Sequence, residues 1–160
     1  MIRWRWNDPD HIDAHRADFS VSPERVMEWL VEEHLSRIEP PRREGWLHRS
    51  YEYPEVLGRS GLREVPPDGS ASFWGYRKKR TIPSHLCEGE KSLTRHICLW
   101  GWWEEKDFVV HTLYPGERAP REIHDPDLKL QDLPDAIAFW RIHAIVVEKG
   151  DWSESHHRVP

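Results

Sequence analysis

Two runs near the middle of the chain constrain its fold more than any other feature. Thr94 to Trp103 and Phe108 to Tyr114 are rich in β-branched and aromatic side chains, and only Glu104-Glu105-Lys106-Asp107 separates them. That pattern predicts a β-hairpin. By simple alternation Thr94, His96, Cys98, Trp100 and Trp102 share one face of the first strand, and Arg95, Ile97, Leu99 and Trp103 share the other. In the return strand Val109, His111 and Leu113 oppose Phe108, Val110, Thr112 and Tyr114. Apolar residues on both faces predict a hairpin central to its sheet and covered on both sides.

Helix signals flank the hairpin. Asp8-Pro9 has the form of a helix start, with Asp as N-cap and proline at the first helical position. A short helix from there to about Arg16 sets His11 and His15 one turn apart on one face. Ser22-Pro23 opens a second helix, whose stripe of Met27, Leu30, Val31, Leu35 and Ile38 runs until Pro40-Pro41 ends it. A third helix opens near Leu133-Pro134 and carries Ile137, Phe139, Trp140 and Ile142, while Ala144 to Val147 reads alternatively as the start of a short strand. Trp46 to Tyr53 and Ser72 to Arg80 read as strands, residues 65–70 as a loop, and Pro83 as an edge or a bulge. The expected architecture is α+β: N-terminal helices followed by a mainly antiparallel twisted sheet with a central hairpin, and a C-terminal helix. A single domain over residues 1–155 with a frayed tail at 156–160 accommodates it.

Composition narrows the function classes. At 160 residues, with 38% hydrophobic and 32% charged side chains, the chain is polar but can support a core, helped by ten Trp. A formal charge of −5 argues against a general nucleic-acid coat protein, which needs a broad basic surface. Arg77-Lys78-Lys79-Arg80 nonetheless forms a local basic cluster. Cys87 and Cys98 make no CxxC pair, the first six residues lack the apolar core of a signal peptide, and no apolar run reaches membrane-spanning length. A cytoplasmic protein with unpaired thiols and no membrane association is expected.

Eleven His are too many for all to carry chemistry. His34, His48, His156 and His157 read as surface residues, and His143 as a packing residue or a partner of a backbone group. The hairpin region is more informative because chemistry-bearing groups converge there. Ser84-His85 follows the basic cluster, Thr94 opens one strand, and His111, Thr112 and Tyr114 close the next. Alternation faces His111 away from Thr112 and Tyr114, so one of these sets looks onto a cleft and the other onto packing. A Thr on a buried face is often satisfied by a backbone group, and that alternative stays open for the Thr of this strand.

Arg80-Thr81-Ile82-Pro83-Ser84-His85, then Thr94 before a hydrophobic strand, then Val110-His111-Thr112-Leu113-Tyr114-Pro115-Gly116, resembles the closing portion of bacterial ribonuclease toxins of the barnase/EndoU/colicin E5–D/RelE-like group. Toxin members of that group often end in a strand resembling TAYP, from which Leu113 is a mild departure. His11-Ile12-Asp13-Ala14-His15 is similar to the His-bearing helix that opens several of them. The resemblance covers about half the chain. It implies metal-independent endoribonuclease activity without a cofactor, on RNA such as tRNA, and an antitoxin or immunity protein as partner. His85 or His111 would be the hairpin acid or base, and His11 or His15 the helix one. Lys78, Arg80 or Arg95 would steady phosphate charge, and the hydroxyls of Ser84, Thr94, Thr112 and Tyr114 would orient phosphate oxygens. Exposed Trp residues would stack an unpaired base.

Two other readings compete. His11 and His15 could open a metal site completed by Asp, Cys or a further His, although no HExxH is present. A non-enzymatic interaction or small-ligand-binding domain with an aromatic-lined pocket would leave Thr112 and Tyr114 as ordinary strand residues and the basic cluster as a solvated edge.

Overall fold

The computed structural model describes residues 1–68 and 70–156. In chain order its elements are β1 (Trp4–Trp6), α1 (Pro9–His15), α2 (Pro23–Glu33), β2 (Trp46–Glu52), β3 (Gly58–Ser60), β4 (Leu62–Glu64), β5 (Phe73–Arg77), β6 (Ser84–Glu88), β7 (Ser92–Thr94), β8 (His96–Glu104), β9 (Asp107–Pro115), α3 (Leu133–Ile142), β10 (His143–Val147) and β11 (Trp152–Glu154). Helices and mainly antiparallel sheets make this an α+β fold, as expected. The chain forms two compact units, residues 1–60 with 93–118 and residues 61–92 with 119–160. Among the described residues no helix is long and apolar enough to cross a membrane. The expected frayed tail, His157 included, falls outside the described residues except for His156.

In the first unit a four-stranded sheet runs in the order β1-β9-β8-β2, with the predicted hairpin β8–β9 at its centre. Its edge strand β1 pairs in parallel with β9, Trp4 opposite Phe108. α1 and α2 begin where their sequence signals lie. Asp8 accepts from the Asp10 backbone N–H at 3.1 Å, and Ser22 accepts from that of Arg25 at 3.2 Å. α2 lays Val26, Met27, Leu30 and Val31 against Ile97, Leu99, Phe108, Val110 and Leu113 on one face of the sheet. Fully burying each such aliphatic side chain contributes about 1.5–3 kcal/mol, so this layer holds the unit together.

Two strand boundaries differ from expectation. The run from Thr94 is interrupted at Arg95, where Thr94 ends β7 and His96 begins β8. The reason is local: Arg95 donates to the carbonyls of Tyr53 at 3.2 Å and Pro54 at 3.0 Å, anchoring the chain that leaves β2. The strand expected to reach Arg80 ends at Arg77, because Arg80 N–H closes a turn onto the Arg77 carbonyl at 2.9 Å and Lys79 adopts φ 64°.

The second unit holds a five-stranded sheet in the order β11-β5-β6-β10-β4. β6 is internal to it, although Pro83 suggests an edge. The proline sits immediately before the first strand residue, where no ladder donor is required. Val65, Cys87, Ala144 and Val146 form its small core, beside the buried Leu86 and Trp140. The segment 144–147 is a strand, the second of the two readings the sequence allows.

Candidate active site

The face of the first unit's sheet turned away from α2 carries an unusual set of side chains. Cross-strand pairs place Trp46 beside Trp102, His48 beside Trp100, and Ser50 beside Cys98. The next ladder continues the rows, with Trp102 opposite Val109, Trp100 opposite Thr112 and Cys98 opposite Tyr114. Paired residues share a face, so Thr112 and Tyr114 lie on this aromatic side and Leu113 on the core side.

Between Val110 and Thr112 the register slips. Trp100 pairs with Thr112 but Gly101 pairs with Val110, which leaves His111 without an opposite residue. This is a β-bulge, and it overturns the expectation that His111 faces away from Thr112 and Tyr114. Strict alternation fails at one residue, and the imidazole turns onto the aromatic face. There its ring centroid lies 4.9 Å from that of Trp100 and 6.0 Å from that of Trp46. Gly101 permits the bulge. A Cβ at this position would come within 2.3 Å of the Val109 carbonyl oxygen and 2.6 Å of the Phe108 ring.

α1 brings its two His to the same place. His11 Nε2 is 3.1 Å from Thr112 Oγ1, and the His11 ring lies 6.0 Å from His111, nearly parallel to it. His15 sits edge-on to His11 at 5.1 Å and 6.3 Å from the Tyr114 ring. Five of the expected residues (His11, His15, His111, Thr112 and Tyr114) therefore form one cluster. Burial first, and then the nearby His11, hold the His111 imidazolium below the ordinary histidine range.

Cys98 borders the cluster without joining its chemistry. Burial pushes its thiol up to about 11, against a hydrogen bond from Tyr114 and the charge of Arg118, so it stays protonated near neutrality. Arg118, exposed just beyond β9, is a cation beside this face that sequence reasoning passed over. His48, expected at the surface, stacks flat on Trp100 at 4.6 Å. His34, expected there too, is packed between Trp29 at 4.9 Å and Tyr51 at 4.4 Å, and burial lowers its pKa. Both are ring-stacking residues because the Trp and Tyr content of β2, β8 and α2 supplies neighbours.

The other expected site residues are engaged elsewhere. Thr94 Oγ1 accepts from the His96 backbone N–H at 3.0 Å, and Arg95 holds the two carbonyls named above. Lys78, Arg80, Ser84 and His85 belong to the second unit. His85 is buried, stacked on Trp74 at 5.1 Å, and its Nδ1 donates to the His143 carbonyl at 2.7 Å, which fixes the tautomer. Ser84 is fully buried and donates to Glu122 Oε1 at 3.0 Å. The same carboxylate oxygen lies 3.2 Å from Arg77 and 3.2 Å from Arg80. His143 donates to the Phe139 carbonyl at 3.0 Å and stacks on that ring, as a packing residue would.

Among the described residues no group of three or more His, Cys, Asp or Glu side chains is arranged to hold a metal ion. Comparison with protein-family models, with curated proteins and with solved structures found no match for this chain.

The arrangement suits proton transfer at a surface. Three imidazoles and two hydroxyls converge, one imidazole is biased to the neutral form, and indole faces adjoin them. Trp46 is 63% exposed and could meet a ligand ring directly.

Proposed function

We propose that the chain is a metal-independent endoribonuclease of toxin type whose active site is the His11–His15–His111–Thr112–Tyr114 cluster. The observation that carries this reading is the bulge at His111. It adds a third imidazole to a face where Thr112 already meets His11.

Depressed below its ordinary pKa, His111 is neutral near pH 7 and serves as the base. It takes the proton of the RNA 2′-hydroxyl as that oxygen attacks phosphorus. The bond from phosphorus to the 5′-oxygen breaks, and the leaving oxygen receives a proton from the His11–His15 pair. The products are a 2′,3′-cyclic phosphate and a 5′-hydroxyl. Thr112 and Tyr114 hydroxyls orient phosphate oxygens, Arg118 offsets their charge, and Trp46 stacks an unpaired base. The reading favours single-stranded RNA, including the loops of tRNA, as substrate. An antitoxin or immunity protein covering the cluster completes the proposal. We assign its action to the cytoplasm, a reading supported by two buried, unpaired cysteines.

End-group analysis of a cleaved oligoribonucleotide tests the chemistry. The proposal predicts cyclic phosphate and 5′-hydroxyl ends; 3′-hydroxyl and 5′-phosphate ends contradict it.

A second reading has its own observation. A cavity of about 270 Å³ on the first unit is lined by Ile38, Arg42, Trp46, His48 and Trp103 among others, which suits a small planar ligand held by an aromatic-lined binding domain. It predicts ligand binding lost in Trp46→Ala, with no RNA turnover.

A further inference from the structure

The second unit contains a cleft of about 640 Å³ between the turn after β5 and the turn before β11. One wall is Arg77-Lys78-Lys79-Arg80; the other is Gly150 to Ser153. Four consecutive cations repel one another, so the fold must hold them in place. Glu122 does so from behind, its Oε1 lying 3.2 Å from both Arg77 and Arg80. Lys78 has a loose partner in Asp151, at 3.9 Å. Lys79 is exposed at the tip of the turn, in a left-handed conformation with φ 64°. The turn is fixed by the Arg80-to-Arg77 backbone bond at 2.9 Å and by Lys78 N–H to the Asp151 carbonyl at 3.3 Å.

The opposite wall offers a ring. Trp152 packs on Phe73 with centroids 4.0 Å apart, and its Nε1 donates to Glu88 Oε1 at 2.9 Å. Both contacts fix the indole plane while leaving the side chain half-buried at the cleft. A preset cationic turn facing a preset indole matches a ligand that joins phosphate to a planar base.

We propose that this cleft binds a nucleotide, its phosphates on the Lys78-Lys79 side and its base against Trp152. The inference stands apart from the ribonuclease reading, because binding is measured without turnover. Free nucleotide and nucleic-acid strand share this chemistry, and the test separates them.

The experiment is calorimetric titration of the full chain, in EDTA at low and moderate salt, with ATP, adenosine, pyrophosphate and a short oligothymidylate, which has no 2′-hydroxyl to cleave. The cleft predicts saturable, salt-sensitive binding of ATP or of the oligothymidylate, with pyrophosphate weaker and adenosine weaker still. Tighter binding of ATP identifies a free nucleotide as the occupant; tighter binding of the oligothymidylate identifies a strand. Lys78→Ala/Lys79→Ala removes two exposed charges without touching Glu122, and should weaken binding about tenfold or more. Trp152→Leu should weaken ATP but leave pyrophosphate unchanged. Absence of saturable binding by both ATP and the oligothymidylate overturns the proposal. So does undiminished binding in the double-lysine variant, or pyrophosphate binding as tightly as ATP.

Discussion

His11 Nε2 and Thr112 Oγ1 lie 3.1 Å apart across 101 positions of sequence, joining the first helix to the strand segment just beyond the bulge. That hydrogen bond links α1 to the site face and sets His11 beside His111. Replacing Thr112 by Val keeps the shape and removes the bond. Loss of one such bond costs about 1 kcal/mol, so the melting temperature should fall by only a few degrees while RNA cleavage falls more steeply. Parallel thermal melts and cleavage rates check this. A variant with full activity would detach Thr112 from the chemistry.

Gly101 should be the least replaceable glycine of the site. In Gly101→Ala the new Cβ meets the Val109 carbonyl oxygen at 2.3 Å and the Phe108 ring at 2.6 Å. Overpacking of this kind costs about 1–3 kcal/mol, and relief requires the β8–β9 register to move. Denaturant unfolding should show the loss of stability, and the His111 ring resonances should shift as the bulge changes.

The pH dependence follows from His111. Its pKa is lowered, first by burial and then by His11. As a base it must be neutral, so the acid limb of the cleavage profile should fall below the ordinary histidine value of about 6.5. The stability sign is the same: a depressed folded pKa contributes stability that is present above about pH 6.5 and lost as pH falls through the folded value. NMR titration of the His111 ring measures it. In His11→Gln the value should rise only part of the way, because burial, the larger cause, persists.

Glu122 should prove structural. It is buried, with Ser84, Arg77 and Arg80 all directed at one carboxylate oxygen. Glu122→Ala strands a buried hydroxyl and two partly exposed guanidinium groups. A fully buried pair broken this way costs about 3–5 kcal/mol, and solvent at the arginines reduces it to about 2 kcal/mol here. Chemical denaturation checks the figure.

Much of the fold is legible from local rules. Asp8-Pro9 and Ser22-Pro23 mark helix starts that the structure uses, and the two β-rich runs make the hairpin. What local rules cannot supply is register. Counting back by twos from the core residue Leu113 puts His111 on the core side, and one unpaired residue reverses that. A signal was present in Gly101, since an isolated glycine inside a strand often marks a bulge. The internal position of β6 and the pairing of β1 with β9 depend on contacts between distant segments, which short motifs do not encode. The same limit applies to Ser84 and His85: their neighbours Glu122, His143 and Trp74 come from three other parts of the second unit.

The central claim is that the imidazole turned by the bulge performs RNA cleavage. Its most direct test is incubation of the purified protein and of His111→Ala with total tRNA and a generic RNA, in EDTA throughout, read on a denaturing gel. The account predicts discrete cleavage by the native chain and a rate lower by about 10²-fold or more in the variant, with both proteins melting at similar temperatures. No cleavage of either RNA by the native chain, or equal cleavage by a folded His111→Ala, would contradict it.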